Sequence, residues 1–273
     1  MGFSTINQKG LVLLGCGKMG SAMLQGWLAR GIKPGAVTIL DPHPSDWVQS
    51  LVAEGVSLNV DLPPAPAVCI LAVKPQMMGQ ALPRLQVLGN GETLFVSIAA
   101  GTSIDSLAAI LGERSSIIRA MPNTPAAVGR GITALIGNDK TSAAQLEMAE
   151  NLLAAVGQTV RLENEGQMDA VTAVSGSGPA YVFHLIETMA AAGQAQGLPP
   201  ELALKLAKAT VAGAGELAEK SDETPTELRV NVTSPAGTTA AALAVLMDAQ
   251  TGFPKIVGDG IKAAADRSRE LGE

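Results

Sequence analysis

Only two cysteines, Cys16 and Cys69, occur in 273 residues. That excludes the disulfide framework of a small secreted fold and fits the reduced thiols of a cytosolic protein. Cys69 lies in an apolar run and reads as inert packing. Histidine is as sparse: His43 and His184 are the two present, and no Ser/His/Asp arrangement can be built from them. His184 falls in an apolar helical stretch and reads as a packing residue. No block of Lys or Arg exists and the formal net charge is −6, which excludes nucleic acid and anionic membrane surfaces as main partners. The longest apolar runs, such as Ala67 to Val73 and Ala240 to Met247, fall well short of the ~20 residues that cross a bilayer. The first ten residues have no apolar core and no cleavage pattern, so nothing marks the chain for export. The expectation is a soluble, cytoplasmic protein. Its length allows two modest domains with a substantial core, in the range of small-molecule enzymes.

What is present is a change of texture along the chain. Leu11–Leu14, Val37–Leu40, Val68–Val73 and Leu94–Ile98 are short continuous apolar runs, each stopped by Gly, Asp-Pro or Lys-Pro. Such runs are buried on both faces, as in a parallel sheet. A helical pattern over Lys18–Arg30 places Met19, Met23 and Trp27 on one face. Thr102-Ser-Ile-Asp105 resembles a capping box opening a helix to Leu111. Ile117–Arg119 and Gly131–Ile136 supply further strands before a helix over Ser142–Val156. After about Glu163 strands give way to alanine-rich helices, near 167–174, 179–196, 200–217, 225–230, 238–247 and 253–271. The fold class is therefore α/β. A Rossmann-type dinucleotide-binding domain over 1–163 precedes an all-α domain over 164–273. The helix near Ala180–Ala195 has little polar face, and a domain of about 110 residues can barely surround it. A homodimer with interlocked helical domains is expected.

Gly15-Cys16-Gly17-Lys18-Met19-Gly20 follows the Leu11–Leu14 strand and opens a helix. In that context Gly15 permits the tight turn, Gly17 lets a pyrophosphate approach the backbone, and Gly20 lets helix pack on strand. Leu14 through Gly20 is thus the candidate cofactor loop. Asp41 ends the second strand, about 20 residues beyond the glycines, where an acid accepts from ribose hydroxyls and repels a 2′-phosphate. It favours NADH over NADPH, although Asp41 can equally be a strand terminator beside Pro42. His43 is the one residue nearby to assist a 2′-phosphate, or else a solvated loop residue. Near the other end of the chain, Ser234 is a good helix N-cap, Pro235 suits a first turn, and Gly237 lets a ligand approach. The N–H groups from about Ala236 to Thr239, with the Thr238 and Thr239 hydroxyls, then form an anion site.

The segment Pro225-Thr-Glu-Leu-Arg-Val-Asn231-Val-Thr-Ser234-Pro-Ala-Gly237-Thr238-Thr239 resembles the signature of the pyrroline-5-carboxylate reductases. The resemblance covers the whole chain, through Gly15–Gly20, Leu71-Ala72-Val73-Lys74-Pro75, Ala99-Ala100-Gly101, Met121-Pro-Asn123-Thr-Pro125 and Ser175-Gly-Ser177-Gly178-Pro179-Ala-Tyr181. It implies reduction of 1-pyrroline-5-carboxylate to L-proline with NADPH or NADH, the last step of proline biosynthesis. It also implies a dimer, often a larger assembly of dimers, whose partner subunit can supply the helical part of each site. Ala72, Val73, Lys74 and Pro75 would border the phosphate and ribose, though Lys74 by itself reads as an ordinary loop lysine. Ala99, Ala100 and Gly101 would floor the nicotinamide. Asn123 is either a turn asparagine or a partner of the nicotinamide carboxamide. Ser177, Gly178 and Pro179 would form a helix start facing the nicotinamide. Glu165 and Asn231 would touch the substrate region, Glu165 being otherwise an exposed loop acid.

Imine reduction asks little acid–base help, because the ring nitrogen can arrive protonated and the protein chiefly orients two ligands and excludes water. No metal is required. The substrate carboxylate would sit on the N–H groups at Gly237 and Thr238, assisted by Ser234, while Thr239 bonds the ring nitrogen as the amine forms. A β-hydroxyacid dehydrogenase is the nearest enzyme alternative, but the positions of its lysine and asparagine hold Val182 and Ile186. A coenzyme-F420-type nicotinamide reductase shares the first half without the Ser234–Thr239 segment. The alternative of another class is a nicotinamide-dinucleotide-binding sensor without turnover, which has no chemical reason to keep Ser234, Thr238 and Thr239.

Overall fold

The computed structural model describes residues 3–272 of the chain. In chain order the elements are α1 (Ser4–Lys9), β1 (Leu11–Leu14), α2 (Lys18–Ala29), β2 (Val37–Leu40), α3 (Asp46–Ser50), β3 (Ser57–Leu58), β4 (Val68–Leu71), α4 (Met78–Ala81), β5 (Leu94–Ser97), α5 (Ile104–Leu111), β6 (Ser116–Met121), β7 (Gly131–Gly137), α6 (Ala143–Leu153), β8 (Gly157–Arg161) and α7 (Met168–Val171). Five further helices follow without a strand among them: α8 (Gly178–Ala195), α9 (Pro200–Lys220), α10 (Pro225–Asn231), α11 (Thr238–Leu246) and α12 (Phe253–Gly272). The chain divides into two compact units, Met1–Gly176 with Ala265–Glu273, and Ser177–Ala264.

In the first unit all eight strands form one sheet, in the order β3-β2-β1-β4-β5-β6-β7-β8. β3 through β6 of that order run parallel, β7 turns antiparallel to β6, and β8 is parallel to β7. Because the β1, β2, β4 and β5 strands are buried at every residue, both faces need cover, and alternation divides the core in two. Leu11 and Leu13 of β1 join Ile39, Ile70, Val96 and Ile118 under Met23 and Trp27 of α2 and Leu152 and Leu153 of α6. Val12 and Leu14 face the other way with Leu40, Cys69, Leu71, Phe95 and Ile117, under Leu82, Leu85 and the Leu107 and Leu111 stripe of α5. The Trp27 indole donates to the Leu152 carbonyl at 2.8 Å, so the largest core side chain is also polar-satisfied. The α/β expectation holds for this unit.

Helix ends follow local chemistry. Ser142 makes a capping box with Gln145 at the start of α6. α5 differs from the sequence expectation. Its N-cap is Ser103, whose hydroxyl accepts the Ser106 N–H at 3.2 Å, and no Thr102–Asp105 box forms. Ser103 rather than Thr102 takes the last extended conformation before the helix, which moves the cap by one position.

The second unit is all helix. Its side chains are little buried within one chain: only Ala190 in α8 and Ala203 and Ala207 in α9 are buried, and none in α10 or α11. Tyr181, Val182 and Phe183 are all at least a third exposed. His184 does not pack as expected; its side chain is 80% exposed and meets Glu187 at 3.1 Å. The helix lacks enough neighbours in its own unit to bury that side. Among the described residues no helix is long and apolar enough to cross a membrane.

Candidate active site

In the first unit the strand topology brings the loops after β1, β2, β4, β5 and β6 to the carboxyl edge of the sheet, where ligands of such sheets bind. The glycine turn fits a dinucleotide. Gly15 has φ +87°, and a side chain there would meet the Ala72 carbonyl oxygen at 2.9 Å. Gly20 is pressed on the same turn, since a Cβ would stand 2.6 Å from the Gly15 carbonyl oxygen. Gly17 is different: a Cβ on it would meet nothing within 4 Å. It is exposed and forms the N-cap of α2. Two glycines thus serve close backbone packing, and the third leaves open the approach to the α2 N-terminus and its unsatisfied N–H groups. Lys18 is exposed beside it, Met19 half-buried, and Leu14 and Cys16 buried beneath.

Asp41 is tied to this turn. One carboxylate oxygen accepts the Cys16 N–H at 2.7 Å and the other the His43 N–H at 2.8 Å. Asn59, itself at positive φ, brackets the Asp41 main chain from both sides, at 2.9 and 2.7 Å. Burial holds the Cys16 thiol above its ordinary range, with the Asp41 charge adding and the Ser21 hydroxyl opposing. Ala72 and Val73 are half-buried under Gly15, while Lys74 is exposed and precedes a short helical turn beginning at Pro75.

The remaining first-unit candidates are engaged with protein neighbours. Ala99 and Gly101 are buried. Gly101 has φ +72°, and a Cβ would meet that of Leu271 at 3.0 Å. The glycine therefore makes room for the end of α12 as well as for the turn. Asn123 accepts the Ile132 N–H at 2.9 Å and donates to Ser175 Oγ at 3.4 Å. Glu165 is not a free loop acid. Its Oε1 accepts from Arg119 Nη1 at 2.7 Å and from the Ile104 N–H at 2.9 Å.

In the second unit, Ser177 and Gly178 begin α8, and a Cβ on Gly178 would meet nothing within 4 Å. The 234–239 segment departs from the sequence expectation in one respect. The N-cap of α11 is Gly237, and Ser234 starts a turn closed by the Gly237 N–H on the Ser234 carbonyl at 3.1 Å. Proline second and Ala236 at φ +55° third give that turn its shape. A side chain on Gly237 would collide with Ser234 Oγ, so the glycine accommodates the serine hydroxyl within the turn. The anion-binding potential survives the shift, since Thr238 and Thr239 still occupy the first turn of α11, where the N–H groups have no intrahelical partners. Asn231 donates to Glu223 at 2.5 Å. The Thr224–Glu227 capping box and a contact from Arg229 to the Met247 sulfur at 2.6 Å fix α10 beside this segment. Among the described residues no group of three or more His, Cys, Asp or Glu is placed to hold a metal.

A residue that sequence reading did not single out is Arg119, a buried cation in β6 that pairs with Glu165. Its signal was one charge inside the otherwise uncharged Ser116–Met121 strand.

Comparison with known proteins gives a consistent result. Residues 165–271 match the family model described as pyrroline-5-carboxylate reductase dimerisation, and residues 10–101 match that of NADP oxidoreductase coenzyme F420-dependent. A pyrroline-5-carboxylate reductase of Pseudomonas aeruginosa is 40% identical over 266 residues, covering 96% of this chain and 97% of the relative. The solved structure of a pyrroline-5-carboxylate reductase from Coxiella burnetii superposes with a TM-score of 0.89 at 31% identity, covering 97% and 99% of the two chains. That of the Plasmodium falciparum pyrroline carboxylate reductase with NADP bound gives 0.84 at 29% identity, covering 98% and 99%.

Proposed function

The chain belongs to the pyrroline-5-carboxylate reductase family, and from that premise we propose that it reduces 1-pyrroline-5-carboxylate to L-proline as the last step of proline biosynthesis. The reduced nicotinamide dinucleotide supplies the hydride when bound. The observation that carries this reading is the open Gly17 at the α2 N-terminus of the first unit; the Thr238-Thr239 start of α11 in the second unit supports it separately.

The residues divide the work as follows. Gly15, Cys16, Gly17, Lys18, Met19 and Gly20 cradle the pyrophosphate on the α2 N-terminus. Asp41 receives the adenosine ribose and makes NADH the preferred cofactor, its carboxylate being held in place by the Cys16 and His43 N–H groups. Ala72–Pro75 border the ribose, and Ala99–Gly101 lie under the nicotinamide. Thr238 and Thr239 present N–H groups to the substrate carboxylate at the positive end of α11, while the Gly237 N–H stays on the Ser234 carbonyl. Ser234, Ser177, Gly178 and Asn231 shape the pocket, and the Thr239 hydroxyl hydrogen-bonds the ring nitrogen as it becomes an amine. No side-chain base is needed, since the imine carries its proton into the site and the gain comes from orientation and exclusion of water.

The enzyme works as a homodimer with interlocked helical units. Tyr181, Val182 and Phe183 of α8 are all at least a third exposed, apolar surface of the kind a partner subunit covers, and the dimerisation family match spans them. A cytoplasmic setting agrees with two unpaired, buried cysteines. Equimolar loss of reduced cofactor and appearance of proline from pyrroline-5-carboxylate tests the function. Consumption of cofactor without proline contradicts it.

A further inference from the structure

We propose that Arg119 and Glu165 are positioning residues for the nicotinamide end of the cofactor, acting through the loop that joins β5 to α5. The inference rests on the proposed reading that Ala99–Gly101 lie under the nicotinamide. Arg119 is 6% exposed, in a strand otherwise built of apolar and small side chains. It stands in register beside Ser97, the last residue of β5, itself fully buried. An apolar side chain of similar volume would hold the strand as well, since a buried ion pair is seldom better than good packing. What an apolar residue could not do is hold Glu165.

Glu165 in turn holds the loop. The same Oε1 that receives Arg119 accepts the N–H of Ile104, the first residue of α5. The loop therefore leaves β5 beside Arg119 and ends on Glu165. Its middle is pinned too, because Gly101 packs against Leu271 near the end of α12. Four residues after Glu165, Asp169 accepts the buried Ser268 hydroxyl at 2.6 Å. The supports at Ile104 and at Gly101 are thus themselves connected, and the loop sits inside a closed ring of contacts in one unit. Arg119 Nε, buried and without a hydrogen-bond partner among the described residues, shows that the guanidinium is placed for Glu165 rather than for its own full satisfaction. A ring under the nicotinamide that tolerates no sag fits a reaction whose rate depends on donor–acceptor distance. Glu165 then serves the reaction without touching the imine.

The test uses full-length Glu165→Ala, Arg119→Met and Arg119→Lys. Titration calorimetry with ADP-ribose reads the phosphate and adenosine half of the cofactor site. Fluorescence of bound reduced nicotinamide reads the other half, and kcat, KM and the primary deuterium isotope effect with deuterated cofactor read the hydride step. The expected result is ADP-ribose affinity unchanged within about 2-fold, altered nicotinamide fluorescence, kcat lower by roughly 10- to 100-fold with a larger isotope effect, and substantial recovery in Arg119→Lys. Parallel loss of ADP-ribose affinity would overturn the proposal, because it would mean the whole domain had loosened. A raised KM for the imine at constant kcat would overturn it by making Glu165 a substrate ligand, and no change would overturn it outright. If Arg119→Met does not fold, Glu165→Ala, which removes the acceptor for Ile104 at a partly exposed position that water can fill, decides alone. If the unmodified enzyme turns over no imine, the proposed function has failed, while the two binding readouts still judge the positioning role.

Discussion

The Asp41 carboxylate accepts the Cys16 N–H at 2.7 Å, which makes the acid at the end of β2 and the glycine turn at the end of β1 a single structure. A negative charge is thereby fixed where the adenosine ribose would lie. In the proposed reading a 2′-phosphate would be repelled by that carboxylate, which the hydrogen bond keeps from swinging away.

Replacing Asp41 by Ser removes the charge and keeps a short hydrogen-bonding side chain. The ratio of kcat/KM for NADPH over NADH should rise about tenfold, equivalent to about 1.4 kcal/mol. Steady-state kinetics with each cofactor checks this. An unchanged ratio would show that Asp41 serves only the turn.

Thr239 lies in the first turn of α11, whose N-cap is Gly237, and alanine suits that helical position. Thr239→Ala should therefore fold with a melting temperature near that of the parent, while kcat/KM for imine reduction falls roughly 100-fold, the scale of one lost transition-state hydrogen bond. Thermal melts together with initial rates separate the two effects. Parent-like kcat/KM would remove Thr239 from the chemistry.

Burial raises both cysteine thiols, Cys16 with help from the Asp41 charge and Cys69 by burial alone. For a group raised on folding, the stabilisation is complete below the unfolded value of about 8.5 and is lost as pH climbs toward the folded one, because the unfolded chain releases the proton first. Stability should hold through pH 8 and fall above it, by at most about 1.4 kcal/mol per pH unit per thiol. Cys69→Val, close to volume-conserving, should show a shallower alkaline fall in thermal melts. Native protein should resist thiol reagents at pH 8. An identical pH slope in the variant, or ready labelling of Cys69, would contradict the account.

The apolar strands and the glycine turn were legible because each is decided locally: Leu11–Leu14 alternates between two cores, and Gly15, Gly17 and Gly20 have spacing that only one turn satisfies. β8 escaped notice because Gly157-Gln-Thr-Val-Arg161 is mostly polar and exposed and, at the sheet edge, paired on one side only. Ser234 was mistaken for the cap of α11 since its residue type suits that role. What displaced it is the left-handed Ala236, a backbone choice that no alanine advertises. The partners of Asn123, Asn231 and Glu165 were also hidden, as each depends on a residue distant in sequence or on a turn not evident from side-chain type. Arg119 is the clearest case. Its charge was visible, but its use depends on Glu165, 46 positions away.

Reduced-cofactor absorbance followed with pyrroline-5-carboxylate, NADH and NADPH at equal concentration and the six-membered cyclic imine as control, is the most direct measurement. The account predicts rapid oxidation with the five-membered ring, faster with NADH than with NADPH. No oxidation with either cofactor would contradict it and leave a dinucleotide-binding protein without this turnover.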